Sequence, residues 1–220
     1  NLISASIELY QSLEFETGQA TGWRETGSLA VATNADRMTQ LKRQVSLARG
    51  FGLESEELLV TEVADYWPLV RTDDLIGAVF SPGDGRVNPS DVALALIKGA
   101  RARGVRFFED TPVRGIEKNA GRATAVVTPQ ERIECENVVL CAGIWSRELA
   151  LLTGAHVPLY ACEHFYILTK PIPGIDHHLP TLSAQDSYLY VRDEVGGLLV
   201  GCFEPNAKPL PLSRLPTDFA

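Results

Sequence analysis

Three stretches of the chain combine residue types and spacing that suit chemistry. The first is Val138-Val139-Leu140-Cys141-Ala142-Gly143, an apolar run closing on two small residues, with Trp145-Ser146 opening a helix. Small residues at a strand-to-helix junction let the main chain approach a pyrophosphate or an adenosine closely. The same glycine serves equally well where a chain simply turns. The second stretch is Tyr160-Ala161-Cys162-Glu163-His164-Phe165-Tyr166, where strand alternation puts residues 160, 162, 164 and 166 on one face. An imidazole exchanges protons near neutral pH. A histidine in an apolar run is also an ordinary core residue satisfied by backbone. Tyr188, Tyr190 and Arg192 alternate through a third run, Ser187-Tyr188-Leu189-Tyr190-Val191-Arg192. Tyrosines so placed pack across strands, and a guanidinium can pair with a carboxylate.

The other chemistry-bearing residues read as scaffold. Cys135, Cys141, Cys162 and Cys202 contain no C-x-x-C pair, so reduced core thiols are expected rather than zinc or disulfides. That usage fits a reducing compartment. His177 and His178 follow Pro173-Gly174, a turn composition, and Glu56-Glu57 and Asp73-Asp74 read as solvated charge.

Elements to position these residues follow from periodicity. Residues 2–16 repeat apolar side chains at helical spacing (Leu2, Ile3, Ile7, Tyr10, Leu13, Phe15), up to Gly18. A strand is expected at 28–33, then a helix capped by Asn34 and running to about Gly50, and a strand at 75–80 entering the turn Ser81–Gly85. Asn88 and Pro89 start a helix whose buried stripe is Ala93, Leu96, Ile97 and Ala100, and Gly104 closes it. Strands are expected at 105–109, 113–116, 123–127, 132–134 and 138–141, with Asn119-Ala120-Gly121 as a hairpin turn, then a helix over 145–152. Long strands at 157–169, 187–192 and 197–203 finish the chain. The fold class is therefore α/β (α+β), two lobes interleaved along the sequence.

Composition bounds the partners. The 220 residues are 45% hydrophobic and 22% charged, with a net charge of −8, which is globular and unsuited to non-specific nucleic-acid binding. No apolar run reaches the roughly 20 residues of a membrane span. The chain begins Asn1-Leu2-Ile3 and its one Met is Met38, so an internal piece of a longer protein is expected.

Five segments in order resemble the D-amino-acid-oxidase-like flavoenzymes, specifically the dimethylglycine and sarcosine dehydrogenase branch. They are Gly27-Ser28-Leu29-Ala30-Val31-Ala32, Gly83-Asp84-Gly85-Arg86-Val87-Asn88-Pro89, Glu163-His164-Phe165-Tyr166, Ser187 to Arg192, and Gly196-Gly197-Leu198-Leu199-Val200-Gly201 through Glu204. The resemblance implies a glutathione-reductase-type FAD-binding fold interleaved with a mainly antiparallel substrate domain. Residues 1–18 and 88–154 would belong to the first and 19–87 and 155–220 to the second. It implies FAD held at Val113, Ala142 and Gly143, with Trp145 either packing beside the cofactor or capping the core, and oxidative demethylation of an N-methylated amino acid. His164 and Tyr190 would be catalytic, with Tyr166, Tyr188 and Arg192 binding substrate. No metal is implied.

The family's Gly-rich first βαβ unit, the W-H-A-A-G segment carrying a covalent flavin link, the last FAD-domain strand and the tetrahydrofolate module have no counterpart here. The isolated chain is therefore expected to bind FAD weakly. An electron-transfer-flavoprotein-like acceptor is a further implication. So is a cytoplasmic location in a bacterium, or the mitochondrial matrix in a eukaryote. A flavin oxidase using oxygen and a non-catalytic subunit keeping the scaffold remain open alternatives.

Overall fold

Capping chemistry decides where the helices begin and end. In the computed structural model, which describes residues 2–175 and 178–215, α1 spans Leu2–Thr17 and stops at Gly18, whose φ is +64°. Of its expected apolar stripe Leu13 is buried, while Leu2, Ile3 and Phe15 are exposed. α2 (Ala35–Gly50) starts where Asn34 Oδ1 accepts the Arg37 amide at 2.9 Å. A short α3 (Val60–Tyr66) was not legible in the periodicity. α4 (Pro89–Ala102) has Asn88 as cap and Gly104 just past its end.

The buried stripe of α4 is Val92, Ala95 and Gly99, not Ala93, Leu96, Ile97 and Ala100. The neighbour explains the shift. α1 lies so close that a Cβ added at Gly99 would sit 3.2 Å from Thr17 Cγ2, and Arg103 Nη2 lies 3.3 Å from Glu16 Oε2. Small residues face that contact, and Leu96 is exposed.

The strands are β1 (Ser28–Ala32), β2 (Glu56–Leu58), β3 (Gly77–Ser81), β4 (Gly115–Asn119), β5 (Arg122–Val127), β6 (Arg132–Glu134), β7 (Phe165–Leu168), β8 (Thr181–Ala184), β9 (Leu189–Glu194) and β10 (Gly197–Cys202). The chain divides into two compact units: Asn1–Val105 with His164–Pro205, and Arg106–Glu163 with Asn206–Ala220. This division differs from the boundaries expected after residues 18, 87 and 154, because α1 and α4 pack together within the first unit.

The first unit holds a seven-stranded sheet in the order β2-β3-β1-β8-β9-β10-β7. The β1–β8 pair is parallel and the other pairs are antiparallel. One face buries Leu29, Val31, Leu58, Ala78, Leu182 and Val191 against Val63, Trp67 and Leu179. Trp67 Nε1 donates to Pro180 O at 2.7 Å, satisfying the one polar atom of a large buried side chain. On the opposite face α2 covers β1 and β3 through Leu41, Val45, Ala32 and Val79. Further along that face, the register sets Tyr190, Gly201 and Tyr166 side by side across β9, β10 and β7.

The second unit is an antiparallel β4-β5-β6 meander, followed by a 3-10 turn (Gly143–Trp145) and α5 (Ser146–Leu151). Ala120 and Gly121 take φ of 48° and 80° in the β4–β5 hairpin, a two-residue turn whose twist suits the strands.

Several expected strands do not form. Residues 105–109 and 138–141 are irregular, and 157–169 shrinks to β7. A strand exists through its ladder, and no ladder among the described residues runs through 105–109 or 138–141. The expectation of core thiols also fails: Cys141, Cys162 and Cys202 are exposed and Cys135 is half-buried, all of them free. His178 is in an exposed turn, and His177 lies outside the described residues. No helix among the described residues is long and apolar enough to cross a membrane.

Candidate functional site

Around His164 the first unit gathers an imidazole, a phenol, a benzyl ring and a glycine. His164 stands just before β7, exposed rather than buried and backbone-satisfied, with Nε2 3.2 Å from the Tyr190 hydroxyl. Phe203, immediately after β10, stacks on the imidazole with centroids 4.5 Å apart and planes 22° apart. It also tilts against Tyr190 at 5.3 Å. Tyr190 reaches His164 by lying over Gly201, the residue directly across from it on β10, and a Cβ at Gly201 would run into the phenol ring. Gly201 and Phe203 fall inside the Gly196–Glu204 segment that resembles the family, but the sequence assigned neither a role at the site. The legible signal was a glycine inside an apolar strand, which marks a close approach.

Tyr166 pairs with Gly201 from the other side and shares this face, with more than half its surface exposed. Alternation does not extend back to Tyr160 and Cys162, because β7 begins at Phe165 and both residues belong to the second unit. Tyr188 does not share the strand face of Tyr190. It ends a 3-10 turn (Gln185–Ser187) at φ +55°, so alternation starts only at Leu189, although its carbonyl accepts the Phe203 amide at 2.7 Å. Arg192 lies on the Tyr190 face but is engaged by Glu194 at 2.8 Å, and its Nε is buried without a hydrogen bond. It also lines a cleft of about 380 Å³ with Arg24, Arg86, Asp91, Asp193 and Glu194, where the charges balance.

Two ion pairs brace β9 at either end. Arg37 donates to Asp186 Oδ1 from Nη2 at 2.7 Å and from Nε at 3.0 Å, and Asn34 Nδ2 donates to Oδ2 at 2.9 Å. The hydrogen bond from Arg37 holds the Asp186 carboxyl below the usual carboxylate range and raises Arg37 in turn. Beyond Arg192, the buried Asp193 takes Arg86 Nη2 at 2.5 Å on Oδ2 and Nη1 on its carbonyl. Partners 149 and 107 residues apart leave no local pattern to read.

The cofactor candidates all fall in the second unit. Val113 lies just ahead of β4, where the Arg114 amide bonds Val127 O at 2.8 Å. Ala142 precedes the 3-10 turn and accepts the Trp145 amide at 3.0 Å. Gly143 has φ +52°, and a Cβ there would meet no atom within 4 Å. A glycine kept small by packing has neighbours in that position. At Gly143 the space is open, as it is at Gly104, Gly121 and Gly154, so the positive φ rather than packing accounts for the glycine. Trp145 is close to half exposed beside it.

Comparison with known proteins gives this geometry its context. The chain is 41% identical over 208 residues to the mouse mitochondrial pyruvate dehydrogenase phosphatase regulatory subunit, covering 93% of the chain and 24% of that protein. It is 33% identical to 4-methylaminobutanoate oxidase (formaldehyde-forming) of Paenarthrobacter nicotinovorans, covering 99% and 26%. It is 36% identical to human mitochondrial sarcosine dehydrogenase, covering 89% and 22%. The chain thus spans about a quarter of the length of these relatives. Its fold is similar to that of L-proline dehydrogenase from P. horikoshii, with a TM-score of 0.81 and 22% identity over 90% of this chain and 53% of that one. The family model described as FAD dependent oxidoreductase (DAO) matches residues 1–218, and the chain belongs to that family.

Proposed function

We propose that this chain is part of an FAD-dependent enzyme that oxidatively demethylates an N-methylated amino acid of the sarcosine or dimethylglycine type. The observation that carries this reading is the His164–Tyr190 pair, an imidazole hydrogen-bonded to a phenol on an uncovered sheet face. Bound FAD would supply the hydride acceptor for oxidation at the carbon next to nitrogen, and the iminium so formed on the substrate would be hydrolysed by water to amine and formaldehyde. The nitrogen lone pair must be free for that step, so the amine has to be neutral. His164 takes the amine proton, and the Tyr190 hydroxyl orients the imidazole. Tyr166, on the same face, borders the substrate, with Arg192 further along to pair with its carboxylate and Tyr188 at the margin. Val113, Ala142, Gly143 and Trp145 are the residues that would hold FAD. Tetrahydrofolate as one-carbon acceptor, a flavoprotein electron acceptor and a mitochondrial or bacterial cytoplasmic setting belong to the same reading.

A second reading has its own support, the 41% identity to a protein named as a phosphatase regulatory subunit. In that case the flavoenzyme scaffold would serve regulation without turnover. One experiment separates the two. The FAD-loaded protein containing this chain is mixed anaerobically with sarcosine, dimethylglycine and 4-methylaminobutanoate. Bleaching of the oxidised flavin band by one of them, abolished in His164→Ala, is the expected result. A loaded flavin that none of the three reduces overturns the enzyme reading and leaves the regulatory one.

A further inference from the structure

Strand β10 carries more of the site than a scaffold strand needs to. Gly201 sits between Tyr190 and Tyr166 in one cross-strand row, and the Tyr190 ring occupies the place where a side chain at 201 would stand. Glycine inside a strand forgoes packing and backbone order, so its presence calls for a compensating contact. Here the contact is the phenol, laid flat over β10 until its hydroxyl meets His164 Nε2 at 3.2 Å. Two residues on, Phe203 lies against the imidazole at 4.5 Å and against Tyr190 at 5.3 Å. Its amide is tied to Tyr188 O at 2.7 Å, which fixes the backbone from which the ring projects. One strand therefore sets both partners: the glycine sets how far Tyr190 reaches, and the ring sets the plane of His164.

We propose that Gly201 and Phe203 are positioning residues for the His164–Tyr190 pair, Gly201 acting through Tyr190 and Phe203 through the imidazole. This rests on the amine-oxidation reading for its kinetic consequence but not for its geometric one. A displacement of about 1 Å at a reacting group costs on the order of 10²-fold in rate. Gly201→Ala is therefore expected to lower kcat by roughly that factor with KM changed far less.

The test uses the FAD-loaded protein containing this chain and has two readouts. The first is kinetic. Gly201→Ala is made alone and in a Tyr190→Leu background, where the ring it displaces is already gone. The expected result is a large loss in the first case and less than about twofold further loss in the second, the non-additivity of coupled neighbours. Equal losses in both backgrounds overturn the proposal, since they mean Gly201 acts through the strand and not through Tyr190. Phe203→Leu should lower kcat while Phe203→Tyr, which keeps a ring, restores it to near the parent. A Tyr variant no better than Leu overturns the role of Phe203.

The second readout is the His164 ring-proton resonance by NMR, which senses the ring currents of Phe203 and Tyr190 whether or not substrate turns over. Both Gly201→Ala and Phe203→Leu should move it, and a resonance unmoved in both overturns the geometry. If His164→Ala turns over normally while the resonance still moves, the amine-oxidation assignment has failed and the positioning has not. Should Gly201→Ala fail to hold flavin, the Phe203 pair of variants and the resonance decide the matter.

Discussion

Breaking the Arg86–Asp193 pair should destabilise the first unit more than any surface ion pair in the chain. The Asp193 side chain is 1% exposed and that of Arg86 is 12% exposed, with Nη2 2.5 Å from Oδ2. Arg86 in turn bridges Arg24 through main-chain bonds of 2.9 Å in both directions. The pair thus ties the loops on either side of β1 and β3 to β9. Removing one member of a buried pair costs about 3–5 kcal/mol, mainly because the other charge stays desolvated. Arg86 retains some access to water and the Asp193 carbonyl, so Asp193→Ala should fall at the lower end, near 3 kcal/mol. At about 2–4 °C per kcal/mol for a protein of this size, that lowers Tm by roughly 6–12 °C. Arg86→Ala should cost more, because it leaves the less exposed group without its guanidinium. The double variant Arg86→Met/Asp193→Leu should recover most of the loss, since a packed apolar pair removes both desolvation costs. Thermal unfolding followed by circular dichroism measures all three. A Tm for Asp193→Ala within a degree of the parent, or a double variant less stable than both singles, would refute this electrostatic account.

Three further outcomes follow from local geometry. Tyr190→Phe removes the 3.2 Å hydrogen bond that orients His164, so kcat/KM in the flavin-reduction assay should drop by on the order of 10²-fold, as for Gly201→Ala; an unchanged value would detach the hydroxyl from the chemistry. Asn34→Ala deletes the cap on the Arg37 amide and the 2.9 Å bond to Asp186, and denaturant titration should show a loss of about 1 kcal/mol. Asp186 is lowered by its hydrogen bond from Arg37, so its stabilisation is present above the unfolded carboxylate value of about 3.9 and fades as pH falls through the folded one. Asp186→Asn should therefore narrow the gap to the parent as pH drops below about 4, with no more than about 1 kcal/mol at stake at neutral pH; a gap that widens on acidification would reverse the sign.

Local chemistry was legible, and distant partners were not. The Asn34 and Asn88 caps, the Gly18 and Gly104 stops and the Ala120-Gly121 turn act within a few residues, so the sequence displays them directly. The face of α4 was misread because its neighbour α1 selects for small residues, a choice that hydrophobic periodicity cannot express. Residues 105–109 and 138–141 carry strand-forming side chains, but a strand also needs a partner to bond. At the site, His164 and Tyr190 were named from a resemblance and from alternation, and their hydrogen bond follows from β7 and β9 flanking β10. Tyr188 was misplaced because alternation was carried one residue past the start of β9, into a left-handed turn that no residue type announced. Gly201 was visible as a letter, but its meaning depends on a ring 11 positions earlier in the chain.

That glycine also bears on the choice between enzyme and regulatory scaffold. A regulator that merely keeps the fold needs β10 as a well-packed strand, and a β-branched residue at 201 would serve it better than glycine. Packing alone gives no reason to lay a phenol across the strand backbone and aim its hydroxyl at a solvent-exposed imidazole. The arrangement sacrifices strand stability at one position and spends it on the orientation of two proton-carrying groups, as expected where a reaction depends on that orientation. The same reasoning applies to Phe203, which is 60% exposed and contributes little to the core yet stacks on His164. Both features weigh toward turnover through contacts in the structure, although residues 201 and 203 lie in the Gly196–Glu204 segment that also carried the family resemblance. If the protein regulates without turning over an amine, substitutions at 201 and 203 should leave its regulatory output intact while scrambling the His164 resonance. If it is an enzyme, rate and resonance should move together across the variant series.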